Sequence, residues 1–283
     1  MADTLGTDIV RKIIQAERER SLTSPCAVPG CSDPLCGTHH GGSFAELLSR
    51  SLPAARPTTS AADLASMIDH TLLRPDATIR EVEKLCAEAA EYRFASVCVN
   101  LAYVRVCGPL LAHSAVHLGT VVGFPLGATP TEVKLFEARG ALKAGARELD
   151  VVINVGMMKN GWYGELVGEV AAVVEAAHRG GALCKVIIET ALLDNGEKIR
   201  ACLLAKQAGA DFVKTSTGFS SKGATEDDVA LMRIVVGPAM GVKASGGIRT
   251  REDALKMVAA GANRIGTSSG VQIVQGTSSA GGG

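Results

Sequence analysis

Three lysines stand inside short runs of apolar, β-branched residues: Lys185, Lys214 and Lys243. A strand buried on both faces has no cheap place for an ammonium group, so each lysine must be paired or must do chemistry. A single isolated lysine of this kind is read as a structural one that snorkels to the strand end or meets a carboxylate. Lys214 and Lys243 differ, because they fall at like depth on consecutive runs. If those runs are neighbouring parallel strands, they lie about 5 Å apart. Two ammonium groups that close repel, so one gives up its proton more readily. A neutral amine can attack a carbonyl carbon. Asp150, on an earlier run, reaches the same place if its side chain points inward, and there it can hold a water or a hydroxyl and shuttle protons. The trio together supports nucleophilic catalysis at Lys214 where no single member would.

The elements that must position these residues are legible from residue 61 onward. Short β-branched runs alternate with Ala- and Glu-rich helical stretches. The runs are SMIDHTLL (66–73), ASVCVN (95–100), LGTVVGFP (118–125), ELDVVINVG (148–156), CKVIIET (184–190), DFVKTSTG (211–218), GVKASGG (241–247) and RIGTSSG (264–270). They recur about every 25–35 residues, the length of a βα unit. Helices are expected at 79–92, 131–144, 163–179, 195–208, 226–236 and 251–260. Three end in the same Ala-Gly-Ala phrase, around Gly145, Gly209 and Gly261, where glycine supplies a left-handed stop before the next strand. Eight such units predict an α/β fold, a (β/α)8 TIM barrel over residues 61–276, followed by a flexible tail at 277–283. An open doubly wound sheet is the runner-up. No G-x-G-x-x-G follows the first strand, which counts against its dinucleotide-binding form.

In such a barrel the C-terminal strand ends carry the active site. Here they bear Asp69, Thr71, Asn100, Asp150, Asn154, Glu189, Thr190, Lys214 to Thr217, Lys243, Ser245, Ser268 and Ser269. Three turns follow the last three strands: Thr217-Gly218, Ser245-Gly246-Gly247 and Gly266 to Gly270. Barrels often hold phosphate after strands 7 and 8, where glycine lets backbone N–H groups approach the oxygens. No metal is expected at the inner site, since metal-assisted chemistry would need clustered ligands. Of the barrel's histidines only His70 falls on a predicted strand, while His113 and His117 lie between strands and are read as surface or packing residues.

Composition narrows the partners. Lys plus Arg and Asp plus Glu each number 29, which gives no electrostatic reason to expect nucleic acid or an anionic membrane. No apolar run approaches the roughly 20 residues that span a bilayer. No secretory signal opens the chain, so the cytoplasm is the expected compartment. Cys86, Cys98, Cys107, Cys184 and Cys202 sit among apolar neighbours and read as small buried hydrophobes.

Residues 1–60 read as an N-terminal extension. Residues 4–20 have an amphipathic helical pattern, with Leu5, Ile9 and Ile13 on one stripe. A Ser/Pro/Gly/Cys-rich linker follows, and 44–51 can form one short helix. Residues 4–20 resemble the encapsulation peptides that carry enzymes to bacterial microcompartment shell proteins. Cys26, Cys31, Cys36, His39 and His40 could bind metal, although their spacing departs from C-x2-C pairs. A mobile tail whose short helix packs on the barrel is the plainer reading.

The segments IDHTLL, VVGFPLG, ELDVVINVG, KVIIET, DFVKTSTGF, VKASGGIRT and RIGTSSG resemble those of the 2-deoxyribose-5-phosphate aldolases, in order, over about residues 62–276. The resemblance implies reversible cleavage of 2-deoxy-D-ribose 5-phosphate to acetaldehyde and D-glyceraldehyde 3-phosphate, without metal or cofactor. It implies Lys214 as the Schiff-base former, Lys243 as its partner and Asp150 as the acid/base group. It places phosphate at Gly218, Gly246, Gly247, Ser268 and Ser269, beside Thr217, and puts Asp69 and Thr71 near the sugar hydroxyls. Some relatives carry lysine after the STG motif, where this chain has Phe219, with Lys222 nearby. The expected partners are the phosphorylated sugar and further copies of the chain. Confining volatile acetaldehyde would give the encapsulation reading of residues 4–20 a chemical purpose. A catalytically inactive barrel kept as a scaffold is the rival from another class, and the complete trio argues against it.

Overall fold

The computed structural model describes residues 60–276, and the expectations for residues 4–20, for 44–51, for the Cys26/Cys31/Cys36 segment and for 277–283 lie outside them. A short helix α1 (Ala61–Ala65) leads into eight strands: β1 (Ile68–Leu72), β2 (Ser96–Val99), β3 (His117–Val122), β4 (Glu148–Val152), β5 (Leu183–Ile187), β6 (Phe212–Lys214), β7 (Gly241–Ser245) and β8 (Arg264–Thr267). All neighbours pair in parallel, and β8 closes on β1. The (β/α)8 barrel is therefore the fold, and the open-sheet alternative is excluded.

The outer layer contains α2 (Ile79–Tyr92), α3 (Val104–Leu111), α4 (Thr131–Lys143), α5 (Val155–Lys159), α6 (Tyr163–Arg179), α7 (Asn195–Gln207), α8 (Glu226–Val236), α9 (Arg251–Ala259) and α10 (Gly270–Gln275). Capping boxes start α2 at Thr78 and Glu81, α7 at Asp194 and Glu197, and α9 at Thr250 and Asp253. Gly145, Gly209 and Gly261 all take positive φ just beyond their helices, as the Ala-Gly-Ala phrase predicts. Helix α3 is absent from the sequence expectation, as are the short α1, α5 and α10. α3 carries Gly108 and Pro109, both poor helix formers, yet Val104, Cys107 and Leu111 fall on one buried face. Packing against the barrel wall wins over propensity there.

A buried Lys–Glu pair braces the wall outside the barrel. Lys134 on α4 donates to Val152 O at 2.8 Å and to Glu169 of α6 at 2.6 Å. Glu169 also accepts from the Asn154 backbone, just past β4. The pair thus fixes the strand end that follows Asp150.

Candidate active site

Alternation along each strand sends every second side chain into the barrel. On β4 that rule aims Glu148 and Asp150 to the same side. The register sets Asp150 opposite Lys185, and Lys214 opposite Lys243. The like depth read from the sequence is therefore met.

Asp150 is fully buried and sits at the hub. Its Oδ2 accepts from Lys214 Nζ at 2.7 Å and from Lys243 Nζ at 2.7 Å, and its Oδ1 accepts from Lys185 Nζ at 2.9 Å. Burial works against its charge, but Lys185, Lys214 and Lys243 together hold the carboxyl well below the usual range. Lys214 goes the other way. Burial pushes its amine below the ordinary lysine value, Asp150 opposes that, and Lys243 adds to it. Lys243 meets the same burial but has two anions, Asp150 at 2.7 Å and Asp69 at 2.5 Å, which raise it. Their surroundings thus pull the pair apart, Lys214 toward the neutral amine and Lys243 toward the ammonium, the division that imine chemistry requires.

Asp69 lies deeper than a sugar-contacting role suggests. Its carboxylate is fully buried and meets Lys243, Lys185 at 3.4 Å and Arg264 at 2.7 Å. Thr71 is partly exposed and donates back to the Asp69 carbonyl at 2.8 Å. Asn100 at the end of β2 ties to the Leu73 carbonyl, and Asn154 caps α5.

The three turns of the mouth are built on backbone that favours glycine. Gly218, Gly246 and Gly247 have φ of 87°, 85° and 80°. The chain after β6 crosses so close to the chain after β7 that a Cβ on Gly223 would lie 2.1 Å from Gly246 O. Thr217 is held from below, its N–H donating to Glu189 Oε2 at 3.2 Å and its hydroxyl bonded to the same oxygen. Ser245 Oγ donates to Ser216 O at 2.6 Å, which links the ends of β6 and β7. Ser268 is exposed, and Ser269 precedes α10 with its N–H on Thr267 Oγ1 at 2.9 Å. Gly218 and Gly247, in two of these turns, are exposed. Phe219 packs edge-on against Phe124 across the rim, their ring centroids 5.3 Å apart.

One histidine needs correction. His117 is not between strands but is the first residue of β3, and its Nδ1 lies 2.9 Å from buried Glu148 Oε1. Sequence reasoning also left Lys185 without a partner and did not single out Glu148 or Arg264. The signal available was charge inside apolar runs at even spacing from Asp150, as Glu148 is.

A family model for DeoC/LacD family aldolases matches residues 64–276. The chain belongs to that aldolase family. Deoxyribose-phosphate aldolase from Thermococcus gammatolerans is 59% identical over 220 residues, 77% of this chain and 98% of that protein. The Clostridium novyi deoxyribose-phosphate aldolase is 57% identical over 217 residues, 77% of this chain and 97% of its own. Among solved structures, the tetrameric deoxyribose phosphate aldolase of Aeropyrum pernix superposes with a TM-score of 0.73 at 43% identity, covering 76% of this chain and 91% of that one. The DeoC/LacD match spans the barrel and includes Lys214, Asp150 and Lys243 within its bounds.

Proposed function

We propose that this chain is a class I deoxyribose-phosphate aldolase. It cleaves 2-deoxy-D-ribose 5-phosphate reversibly to D-glyceraldehyde 3-phosphate and acetaldehyde. The observation that carries the reading is a buried Lys214 amine, driven toward neutrality, 2.7 Å from the shared Asp150 carboxylate in a barrel of the aldolase family.

Neutral Lys214 attacks the C1 aldehyde of the open-chain sugar. Asp150 and the Lys243 ammonium manage the protons as the adduct loses water to give an iminium ion. The C2–C3 bond then breaks, the C3 hydroxyl losing its proton, and the electron pair enters the iminium. The resulting enamine is protonated at C2, and hydrolysis frees acetaldehyde and restores Lys214. Gly218, Gly246, Gly247, Ser268 and Ser269 hold the phosphate through backbone N–H groups and hydroxyls, with Thr217 shaping the turn. With Phe219 after the STG motif, that site relies on backbone more than on side-chain charge. Thr71 lies nearer the mouth than Asp69 and is the better placed of the two for a sugar hydroxyl.

Incubation with the sugar phosphate and borohydride should leave one covalent adduct, on Lys214, unaffected by chelator. An adduct elsewhere would sink the assignment, and cleavage without any adduct would favour a route that avoids an imine.

Self-association into a homo-oligomer belongs to the same proposal, supported by the tetrameric Aeropyrum pernix relative. Residues 4–20 are proposed to direct the enzyme to microcompartment shells, supported by their apolar stripe and the reactivity of the aldehyde product. Residues 1–25 fused to a fluorescent protein should gather at assembled shells, and diffuse fluorescence would count against targeting.

A further inference from the structure

The barrel interior holds more charge than imine formation uses. Four cations, Lys185, Lys214, Lys243 and Arg264, share it with three anions, Asp69, Glu148 and Asp150, and all seven are buried. Arg264 opens β8 and spans two of the carboxylates, Asp69 Oδ1 at 2.7 Å and Glu148 Oε1 at 2.7 Å. Lys185 joins the same layer to the hub, with Glu148 Oε2 at 2.5 Å and Asp150 Oδ1 at 2.9 Å. At the edge of this layer the exposed His117 ring also reaches Glu148 Oε1, at 2.9 Å.

Fully ionised, the cluster would carry one surplus positive charge. Buried surplus charge is costly, so the group with the weakest support gives up its proton. Partner counts identify that group. Lys185 touches three carboxylates, while Lys243 and Arg264 touch two each. Lys214 touches Asp150 alone, through an oxygen it shares with Lys243. Lys185, Lys243 and Arg264 are accordingly raised above their ordinary values, burial being outweighed by their carboxylates, whereas Lys214 is lowered. The three acids are each held below the usual carboxylate range, again against burial. With His117 at the rim neutral, the seven buried groups balance when Lys214 is neutral.

We propose that Arg264 and Glu148 set the charge of the barrel interior from its far end in opposite senses, Arg264 favouring the unprotonated Lys214 amine and Glu148 opposing it. Neither residue touches Lys214, and both act as positioning residues through the Asp69–Lys243 and Lys185–Asp150 links. The inference rests on Lys214 being the imine-forming amine. A purely structural cross-brace would hold the same distances. It would not move the protonation of Lys214 in opposite directions when its two ends are neutralised in turn.

That difference is measurable with the full chain. The rate at which acetaldehyde and cyanoborohydride modify Lys214 is followed against pH by mass spectrometry, and its rise marks the loss of the Lys214 proton. Arg264→Gln removes a cation and should move the inflection upward by about one pH unit, slowing modification about 10-fold below it. Glu148→Gln removes an anion and should move the inflection downward. The double variant Arg264→Gln/Glu148→Gln should return it close to the parent position, as should Arg264→Lys, which keeps the charge and loses the fork. If Arg264→Gln does not fold, Glu148→Gln and the double variant still give the sign. Both neutralisations shifting the same way, or neither shifting while Lys214 is still labelled, would overturn the proposal. Failure to label Lys214 in the parent would instead overturn the Schiff-base reading.

Discussion

Lys214→Met is expected to lower kcat for aldol cleavage on the order of 10^4-fold or more, while the barrel stays at least as stable as the parent. Methionine keeps much of the length and apolar bulk of the lysine but has no amine to form an imine. The stability half of the expectation comes from the amine's surroundings. Lys214 is 2% exposed, and burial together with the Lys243 charge outweighs the support of Asp150, so its proton is held less tightly in the folded chain than in the unfolded one. A lysine depressed in this way destabilises the fold at low pH, where the unfolded chain takes up a proton that the folded chain resists. The penalty vanishes above the ordinary lysine value and grows as pH falls toward the depressed one. Removing the amine therefore helps most at acid and neutral pH. Asp150 is not stranded by the change, because Lys185 and Lys243 remain at 2.9 and 2.7 Å. Thermal unfolding at several pH values measures this directly: the gain in midpoint should shrink as pH rises. A variant that loses activity and also melts well below the parent would show that the lysine is there for the fold. Natural sites often carry such a trade between stability and activity.

The parts of this architecture that were legible in the sequence are those set by local pattern. Eight β-branched runs, the Gly145, Gly209 and Gly261 helix stops and the apolar company of Lys214 and Lys243 are all short-range signals, and each has its counterpart in the barrel. The parts that were hidden depend on how the barrel staggers its strands. Lys185 stands opposite Asp150, but nothing short of the register reveals it. Arg264 lies almost 200 residues from Asp69 in sequence and meets it only because β8 closes on β1. His117 reads as lying between strands because it is the exposed first residue of β3, and an exposed first position breaks the apolar signature of a strand. α3 was masked by Gly108 and Pro109 in its second half. Asp69 shows the limit from the other side: its position on β1 was clear, but the ion pairs that bury it were not.

Asp150→Asn should be the most damaging conservative change in the site, because it strikes both chemistry and stability. The parent carboxylate accepts from three lysine Nζ groups, two of them on one oxygen. An amide offers a single accepting oxygen and turns N–H donors toward one or more of those lysines. Breaking a buried ion pair costs up to about 3–5 kcal/mol, here moderated because Lys185 keeps Asp69 and Glu148 and Lys243 keeps Asp69. The pH course follows from the direction of the Asp150 shift. A carboxyl depressed in the folded state contributes stability above its unfolded value, near 4, and that contribution fades as pH falls through the lower folded value. The difference in unfolding free energy between parent and variant should therefore be full at neutral pH and narrow on strong acidification. The kinetic effect separates proton transfer from nucleophilicity. Asp150 supports the protonated form of Lys214, so its removal makes the amine easier to deprotonate. Were amine neutrality the sole requirement, the variant would react faster at neutral pH. Water loss from the first adduct, deprotonation of the C3 hydroxyl and protonation of the enamine all need an acid or base at this point, and a group in that role typically contributes about 10^2- to 10^4-fold. The expected result is a kcat reduced by that factor in protein kept folded at low temperature, with the pH inflection displaced downward. A variant that matched or exceeded the parent rate would remove Asp150 from the proton relay and leave it only the task of holding three lysines together.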